Sequence, residues 1–392
     1  MFKRNKQPQV VISNDVPKDD SPLPAFVSQP LSYQPGITAK QNWFKRHKKI
    51  SVWLLALLIV LLLGGGAAAY YFYTHSTKQE AVTQTEKPEP APEAPKFFSQ
   101  LTGGQVGSQQ VANQAVTGIM IENSPDARPQ SGLKNSGVVF EAIAEGGITR
   151  FLAVYQEQKP QLVGPVRSVR MYYVDWIAAF DASVAHIGGS SAALAEVRNG
   201  SYRDIDQFFN DGAYWRATDR FAPHNVYTSF ERLDALNAAK GYTTSEFKGF
   251  ARKDSTALAT PNITKINVTI SSALYNSAYT YNAATNSYDR SQAGAPHLDR
   301  EAGQISPRTV VVLDVQQSTV FEDGYRESIS VIGKGRAHIF QDGTGKEVTW
   351  SKASKTAQII FTDTDGNEVP LAPGQTWITA VPVNRGGGVT WQ

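Results

Sequence analysis

The sequence predicts an α+β protein held to a membrane by one N-terminal helix, with a mixed α/β domain followed by a β-rich one. Three observations carry this expectation. An uncharged stretch runs from Ile50 to Tyr73. Strand and helix signals then alternate to residue 250, and beyond residue 262 almost every segment has strand character.

The uncharged stretch reads Ser51-Val52-Trp53-Leu54-Leu55-Ala56-Leu57-Leu58-Ile59-Val60-Leu61-Leu62-Leu63 through its centre. As a helix, residues 50–73 would span about 36 Å at 1.5 Å per residue, enough to cross the hydrocarbon. Lys45, Arg46, Lys48 and Lys49 precede it, and His75, Ser76 and Thr77 follow it. The positive-inside rule puts the N-terminus in the cytoplasm and everything after the helix outside. Trp43 and Trp53 on one side, with Tyr70, Tyr71 and Tyr73 on the other, suit the interfacial belts. Leu63 is followed by Gly64-Gly65-Gly66-Ala67-Ala68-Ala69, so cleavage after Ala69 as a signal peptide competes with an uncleaved anchor. The basic lead of almost fifty residues is far longer than an ordinary n-region and favours the anchor. Both alternatives export the remainder.

The charge distribution agrees. Residues 1–49 hold nine Lys/Arg and three Asp/Glu, whereas the rest holds 29 basic and 32 acidic residues. The positive excess sits in the tail, which excludes a nucleic-acid-binding globular part. Cysteine is absent. That removes disulfides, thiolate metal sites, cysteine nucleophiles and a lipidated N-terminal cysteine.

Residues 1–49 are Pro-, Gln-, Ser- and Asp-rich and are expected to be a disordered cytoplasmic tail. Residues 74–96 contain a Pro/Glu tract, Glu86 to Pro95, expected to be an extended spacer. Residues 97–250 form the first domain. Ala115–Glu122, Val138–Ala144, Thr149–Gln156 and Ser183–Ile187 read as strands. Met171–Phe180, Ser190–Arg198 with a serine cap, and Phe230–Lys240 ended by Gly241 read as helices. Residues 251–262, rich in Ser, Thr and Ala, are the expected linker to a second domain at 263–392. There Thr309–Leu313 is a β-branched run, and Asp342-Gly343 and Asp365-Gly366 mark hairpins. The pairs Tyr172-Tyr173 and Phe208-Phe209 read as core.

Several phrases stand out: Ile121-Glu122-Asn123-Ser124-Pro125-Asp126-Ala127-Arg128-Pro129-Gln130-Ser131-Gly132-Leu133, Glu145-Gly146-Gly147-Ile148-Thr149-Arg150-Phe151, Gly164-Pro165-Val166-Arg167-Ser168-Val169-Arg170, His186-Ile187-Gly188-Gly189-Ser190 and Ala222-Pro223-His224-Asn225-Val226-Tyr227. In the second domain come Pro296-His297-Leu298-Asp299, Gly333-Lys334-Gly335, Trp350-Ser351-Lys352 and Pro373-Gly374-Gln375-Thr376-Trp377. In this order the set resembles the YerB-like family of bacterial lipoproteins, a family of unknown function, over most of residues 116–382. The resemblance implies a layered sheet–sheet–helix first domain and a β-rich second one, and it carries over no catalytic residue. The lipobox cysteine of a lipoprotein is missing here, and the transmembrane helix takes its place.

The strongest local cluster of chemistry is Arg150, Arg167, Arg170 and His186 with the Gly188-Gly189-Ser190 turn. A strand entering such a turn before a helix offers free N–H groups to an anion, and arginines add forked contacts. The alternative is internal pairing of the arginines with Glu122, Glu141, Glu145, Asp175 or Asp181. Gly188-x-Ser190-x-Ala192 resembles a nucleophile elbow with its last glycine replaced, although Ser190 equally suits an N-cap. Glu122, Asp126, Glu141 and Glu145 are candidates for a carboxylate pair acting on wall glycans. His224 with Asn225, and His297, lie in Pro-bearing loops where functional residues concentrate. No metal-ligand spacing and no nucleotide-binding loop is found, so no metal, cofactor or nucleic acid is expected.

The leading expectation is an envelope binding or scaffold module. It would hold an anionic wall polymer or lipid headgroup with Arg150, Arg167, Arg170, His186, Gly188, Gly189, Ser190, His224 and Asn225. The alternative is an envelope hydrolase using Glu122 or Glu145 with His186, or Ser190. A platform for other envelope proteins is the third reading.

Overall fold

A computed structural model describes residues 48–75, 95–320 and 326–392. The expected tail up to residue 47 and the spacer between residues 76 and 94 lie outside the described residues. Two compact units divide at residue 91. In the first, helix α1 (Lys48–His75) runs for 28 residues, about 42 Å at the α-helical rise. Its Ala56–His75 part is long and apolar enough to cross a membrane, and none of it is buried within the unit.

The second unit is built on a long mixed sheet. Its strands are β1 (Thr117–Glu122), β2 (Val138–Glu145), β3 (Ile148–Tyr155), β4 (Ser183–Ala185) and β5 (Arg203–Asp204). A separate hairpin follows, β6 (Tyr214–Arg216) and β7 (Val226–Thr228). Then come β8 (Lys265–Thr269), β9 (Ser277–Asn282), β10 (Ser287–Gln292), β11 (Thr309–Val315), β12 (Gly333–Gln341), β13 (Thr344–Lys352), β14 (Ile360–Thr362), β15 (Thr376–Pro382) and β16 (Gly388–Trp391). The long sheet runs β14-β13-β12-β11-β15-β2-β3-β1-β4-β5. Strands β10-β9-β8-β16 belong to a second, five-stranded sheet. Helices α2 (Met171–Ile177), α3 (Ser191–Val197) and α4 (Phe230–Ala239) complete the unit.

Both faces of the central strands β1, β2, β3, β11 and β15 are covered, which is why these strands bury successive residues rather than alternate ones. Met120, Phe140, Leu152, Val154, Val311 and Ile378 pack with Tyr172, Trp176 and Phe180 of the helical side. Their neighbours in sequence, Ile121, Val139, Phe151, Ala153, Val310 and Trp377, pack with Ile266, Val268, Tyr279 and Tyr288 of the second sheet. Period-two alternation thus sends each strand into two cores, one per face. The α+β class and the sheet–sheet–helix layering follow directly.

The sheet runs through both expected domains. Strand β15 lies parallel between β2 and β11, with Thr376 beside Val138 and Thr379 beside Glu141. Residues 251–262 are strapped along this body. Arg252 donates to the carbonyl of Ala372 at 2.9 Å and also to that of Leu101, and Lys253 pairs with Asp342. The hairpin signal at Asp342-Gly343 is realised as a two-residue turn joining β12 to β13, with φ of 55° and 76°. Both angles are left-handed, as a twisted two-residue hairpin requires. Tyr172-Tyr173 is core, but Phe208-Phe209 is not: the rings are 66% and 75% exposed. No apolar stripe flanks that pair, and Phe209 lies under the Arg198 guanidinium at 5.0 Å instead.

Candidate functional site

The residues expected to converge on the Gly188–Ser190 turn separate into three places. Arg150 on β3 and Arg170 just before α2 both reach the Glu145 carboxylate, at 2.7 and 2.5 Å, around the β2–β3 turn. Nη1 of Arg150 donates to the carbonyl of Ser168 (2.7 Å) and Nη1 of Arg170 to that of Val169 (2.8 Å). Burial pushes the Glu145 pKa up, but the two guanidiniums outweigh it and hold the group below the usual carboxylate value. A carboxyl held ionised in this way is unsuited to general-acid work.

His186, fully buried, places Nδ1 2.9 Å from the carbonyl of Gly188 and Nε2 3.1 Å from Asp204. Asp204 and Asp206 could join it around a cation, since the ligand atoms lie within 4.8 Å of one another. The Arg198 guanidinium fills that role, bonded to Asp206 and 3.7 Å from Asp204. Ser190 spends its hydroxyl on the N–H of Ala193 (3.3 Å), the N-cap of α3. Gly188 accepts from Val169 and Gly189 packs against the Val169 side chain. The turn therefore anchors α3, and Glu145, His186 and Ser190 share no open site.

Arg167 goes elsewhere, to the end of β1. Glu122 terminates that strand, its backbone N–H bonded to the carbonyl of Pro165. Its Oε1 receives Ser124 Oγ at 2.9 Å, His224 Nδ1 at 3.0 Å and Arg167 Nε at 3.3 Å. His224 Nε2 faces Asp126 at 4.0 Å. The Glu122 residue is only 4% exposed, and its second oxygen, Oε2, is buried without a hydrogen-bond partner. Arg167 and His224 each keep about a fifth of the side chain exposed, 22% in both. Oε2 is thus an unmet acceptor lying beside two partly exposed cation-forming side chains, Arg167 and His224.

The loop bearing His224 is held in place on two sides. Asn225 closes it through the carbonyls of Ala217 (3.0 Å) and Arg220 (3.2 Å), and accepts from Arg216 at 2.8 Å. Arg220 reaches the carbonyls of Asp126 and Pro129. Asn225 is thus a clasp for the loop rather than a contact surface. The four acids considered as a carboxylate pair go to separate cations, except that Glu122 and Asp126 both approach His224.

Behind the Glu122 cluster lies a closed ring of buried polar groups. Asn123 donates to Thr149 Oγ1 (2.6 Å) and accepts from Gln130 (3.0 Å), which also holds the carbonyl of Glu122. Gln130 Oε1 meets His297 Nε2 at 3.1 Å, and His297 Nδ1 contacts Arg290. Arg290 pairs with Glu141 at 2.8 Å, both side chains fully buried, and Glu141 lies 3.4 Å from Thr149. Burial and the nearby Arg290 and Arg128 charges push the His297 pKa well down. Sequence reasoning missed Ser124, Asn123, Gln130 and Arg290. The phrases containing Asn123-Ser124, Gln130 and His297 were the available signal, but nothing local marks which of them meet.

Residues 101–243 match the family described as "Protein of unknown function (DUF3048) N-terminal domain", and residues 266–378 match its C-terminal domain. The chain is 33% identical over 311 residues to "Putative lipoprotein YerB" of Bacillus subtilis (strain 168), covering 76% of this chain and 91% of that one. The crystal structure of YerB from Bacillus subtilis superposes with a TM-score of 0.68 at 30% identity, over 75% of this chain and all of that chain. The layered fold and the paired modules are those of that relative, and this chain belongs to the YerB-like DUF3048 family, whose function is unknown.

Proposed function

We propose that the protein is an envelope binding module, tethered by α1 with residues 97–392 outside the cytoplasm. Its recess at Glu122, Ser124, Asp126, Arg167 and His224 takes an anionic group that also carries a hydroxyl or N–H donor. The observation that carries this reading is the unpartnered buried Glu122 Oε2 beside the partly exposed Arg167 and His224. The donor would satisfy the carboxylate, and the anion would meet the guanidinium and imidazole. The uncharged helix behind four basic residues supports the tether, as does a relative named as a lipoprotein in a chain that itself has no cysteine.

The test titrates residues 92–392 with poly(glycerol phosphate) in one arm and anionic phospholipid vesicles in the other. Binding in either arm that falls at least about tenfold in Arg167→Ala and His224→Ala, and survives in Asp234→Ala, is expected. Equal binding in wild type and both recess variants rejects the proposal.

A second reading is hydrolysis of wall material. Its support is the Glu122 carboxylate behind His224 Nδ1, which would orient Nε2 as a base. Turnover of wall fragments that persists in Glu122→Gln and His224→Ala removes it.

A further inference from the structure

The hairpin that presents His224 has a second concave face. Strands β6 and β7, with the turn at residues 299–301, enclose a cleft of 440 Å³, within the roughly 300–1,000 Å³ typical of small-ligand sites. Trp215 and Tyr227 supply aromatic wall, and Arg216, Asp219, Arg300 and Glu301 supply charge in equal numbers of each sign. The charges are already matched: Arg300 pairs with Asp219 at 2.5 Å and lies 3.8 Å from Glu301, while Arg216 donates to Asn225. Tyr227 is 1% exposed, and its Oη is buried with no hydrogen-bond partner. Burial dominates and pushes the phenol pKa up, against the Arg220 charge and the approach of the Arg300 guanidinium to the hydroxyl. A buried hydroxyl is rarely left unsatisfied. The larger hollow of 720 Å³ near Gln156 and Gln375 offers no such atom, because none of its lining side chains has an unsatisfied buried group among the described residues.

We propose that this cleft binds a pyranose ring of an envelope glycan. A small anion would face Asp219 and Glu301 as well as the arginines, so the cleft does not select for net charge. A sugar hydroxyl donates and accepts at once, which suits alternating carboxylates and guanidiniums and satisfies Tyr227 Oη. The C–H face of the ring packs on Trp215. The loop at 217–225 joins this cleft to the recess, since Asp219 lines one while Arg220 and His224 belong to the other. One polymer carrying both sugar rings and anionic groups would therefore engage both places. That coupling rests on the proposed anion recess, whereas the sugar cleft stands without it.

The experiment titrates residues 92–392 with chito-oligosaccharides by calorimetry. The solved YerB chain corresponds in full to three-quarters of this one, so the fold stands alone without the helix. Wild type is expected to bind with Kd of about 0.1–1 mM. Tyr227→Phe keeps the buried ring and should weaken binding by about fivefold. Trp215→Ala should weaken it by more than about tenfold, with Asp219→Asn as the substitute if that variant does not fold. Arg167→Ala should leave the neutral saccharide unaffected while it weakens binding of poly(glycerol phosphate) by at least about tenfold. Absence of wild-type binding up to about 10 mM overturns the proposal, as does undiminished binding in the cleft variants. Loss of the phosphate polymer alone fails the recess and leaves the cleft standing.

Discussion

Replacing Arg290 by methionine removes one member of a fully buried charge pair. Arg290 and Glu141 are both inaccessible to solvent and 2.8 Å apart. The guanidinium also lies 4.4 Å from the Trp377 ring centroid and 5.8 Å from those of Phe151 and Tyr279. Burial works against the charge on Arg290, but Glu141 and Tyr279 outweigh it and raise the pKa. Methionine fills comparable volume, yet leaves the Glu141 carboxylate with neutral donors only: Trp377 Nε1 at 3.0 Å, and the Thr379 and Thr149 hydroxyls at 3.4 Å. Stranding one member of a buried pair costs about 3–5 kcal/mol. In a unit of about 300 residues, with about 2.1 cal/mol/K of unfolding entropy per residue, that lowers Tm by roughly 5–8 °C. Urea unfolding of residues 92–392 at pH 7 measures the cost. The double variant Glu141→Gln/Arg290→Met removes both charges and should recover most of the loss. A cost below about 1 kcal/mol for Arg290→Met, or a double variant no more stable than the single one, refutes this account.

Three further outcomes follow from the geometry. Glu145 has a lowered pKa in the folded state, so its pairing contributes stability above the ordinary value of 4.5 that is lost as pH falls through the folded value. Glu145→Gln should therefore be less stable than wild type at pH 7, with the gap closing below about pH 4 in urea midpoints. His297 has a depressed pKa, so the unfolded chain binds the extra proton, and stability falls as pH drops below 6.5. His297→Gln should flatten that slope between about pH 6.5 and 5; an unchanged slope assigns the acid sensitivity to other groups. Ser190→Ala removes the α3 cap and should cost about 1 kcal/mol while leaving poly(glycerol phosphate) binding intact, since the hydroxyl serves Ala193 alone.

Local features were legible in the sequence for reasons that can be named. The runs at 117–122, 138–145 and 148–155 are rich in apolar residues on both faces, without period-two alternation, because both faces are buried. The Ser190 cap and the Asp342-Gly343 turn depend on neighbours within a few residues. The partners of the arginines do not. Glu122 and Arg150 are directly opposed across β1 and β3, yet Arg150 turns to Glu145 and Glu122 is left to Arg167 and His224. Only the loops at 164–170 and 222–225 decide that outcome, and their paths are set by tertiary packing. The ring behind the Glu122 cluster joins residues 149 and 167 positions apart, beyond the reach of spacing or periodicity. Phe208-Phe209 shows the opposite failure: an aromatic pair suggests core, but nothing in a short turn between β5 and β6 gives it a face to bury.

The sequence reading placed every ligand-binding candidate in the first module, yet the second module shapes both proposed binding places. Strand β15 covers the edge of β2 and brings Trp377 and Thr379 to the Glu141 carboxylate. Without that strand β2 would present an open ladder edge, and Glu141 would lose the Trp377 and Thr379 donors. The Glu122 cluster depends on the same module. Gln130 fixes the carbonyl of Glu122 only while His297 holds its side-chain oxygen and the Arg300 N–H its backbone, at 2.8 Å. The cleft takes Arg300 and Glu301 directly from the second module. The two modules are therefore one structural unit: the first supplies Glu122, His224 and the loop at 217–225, and the second packs against them and fixes where they point.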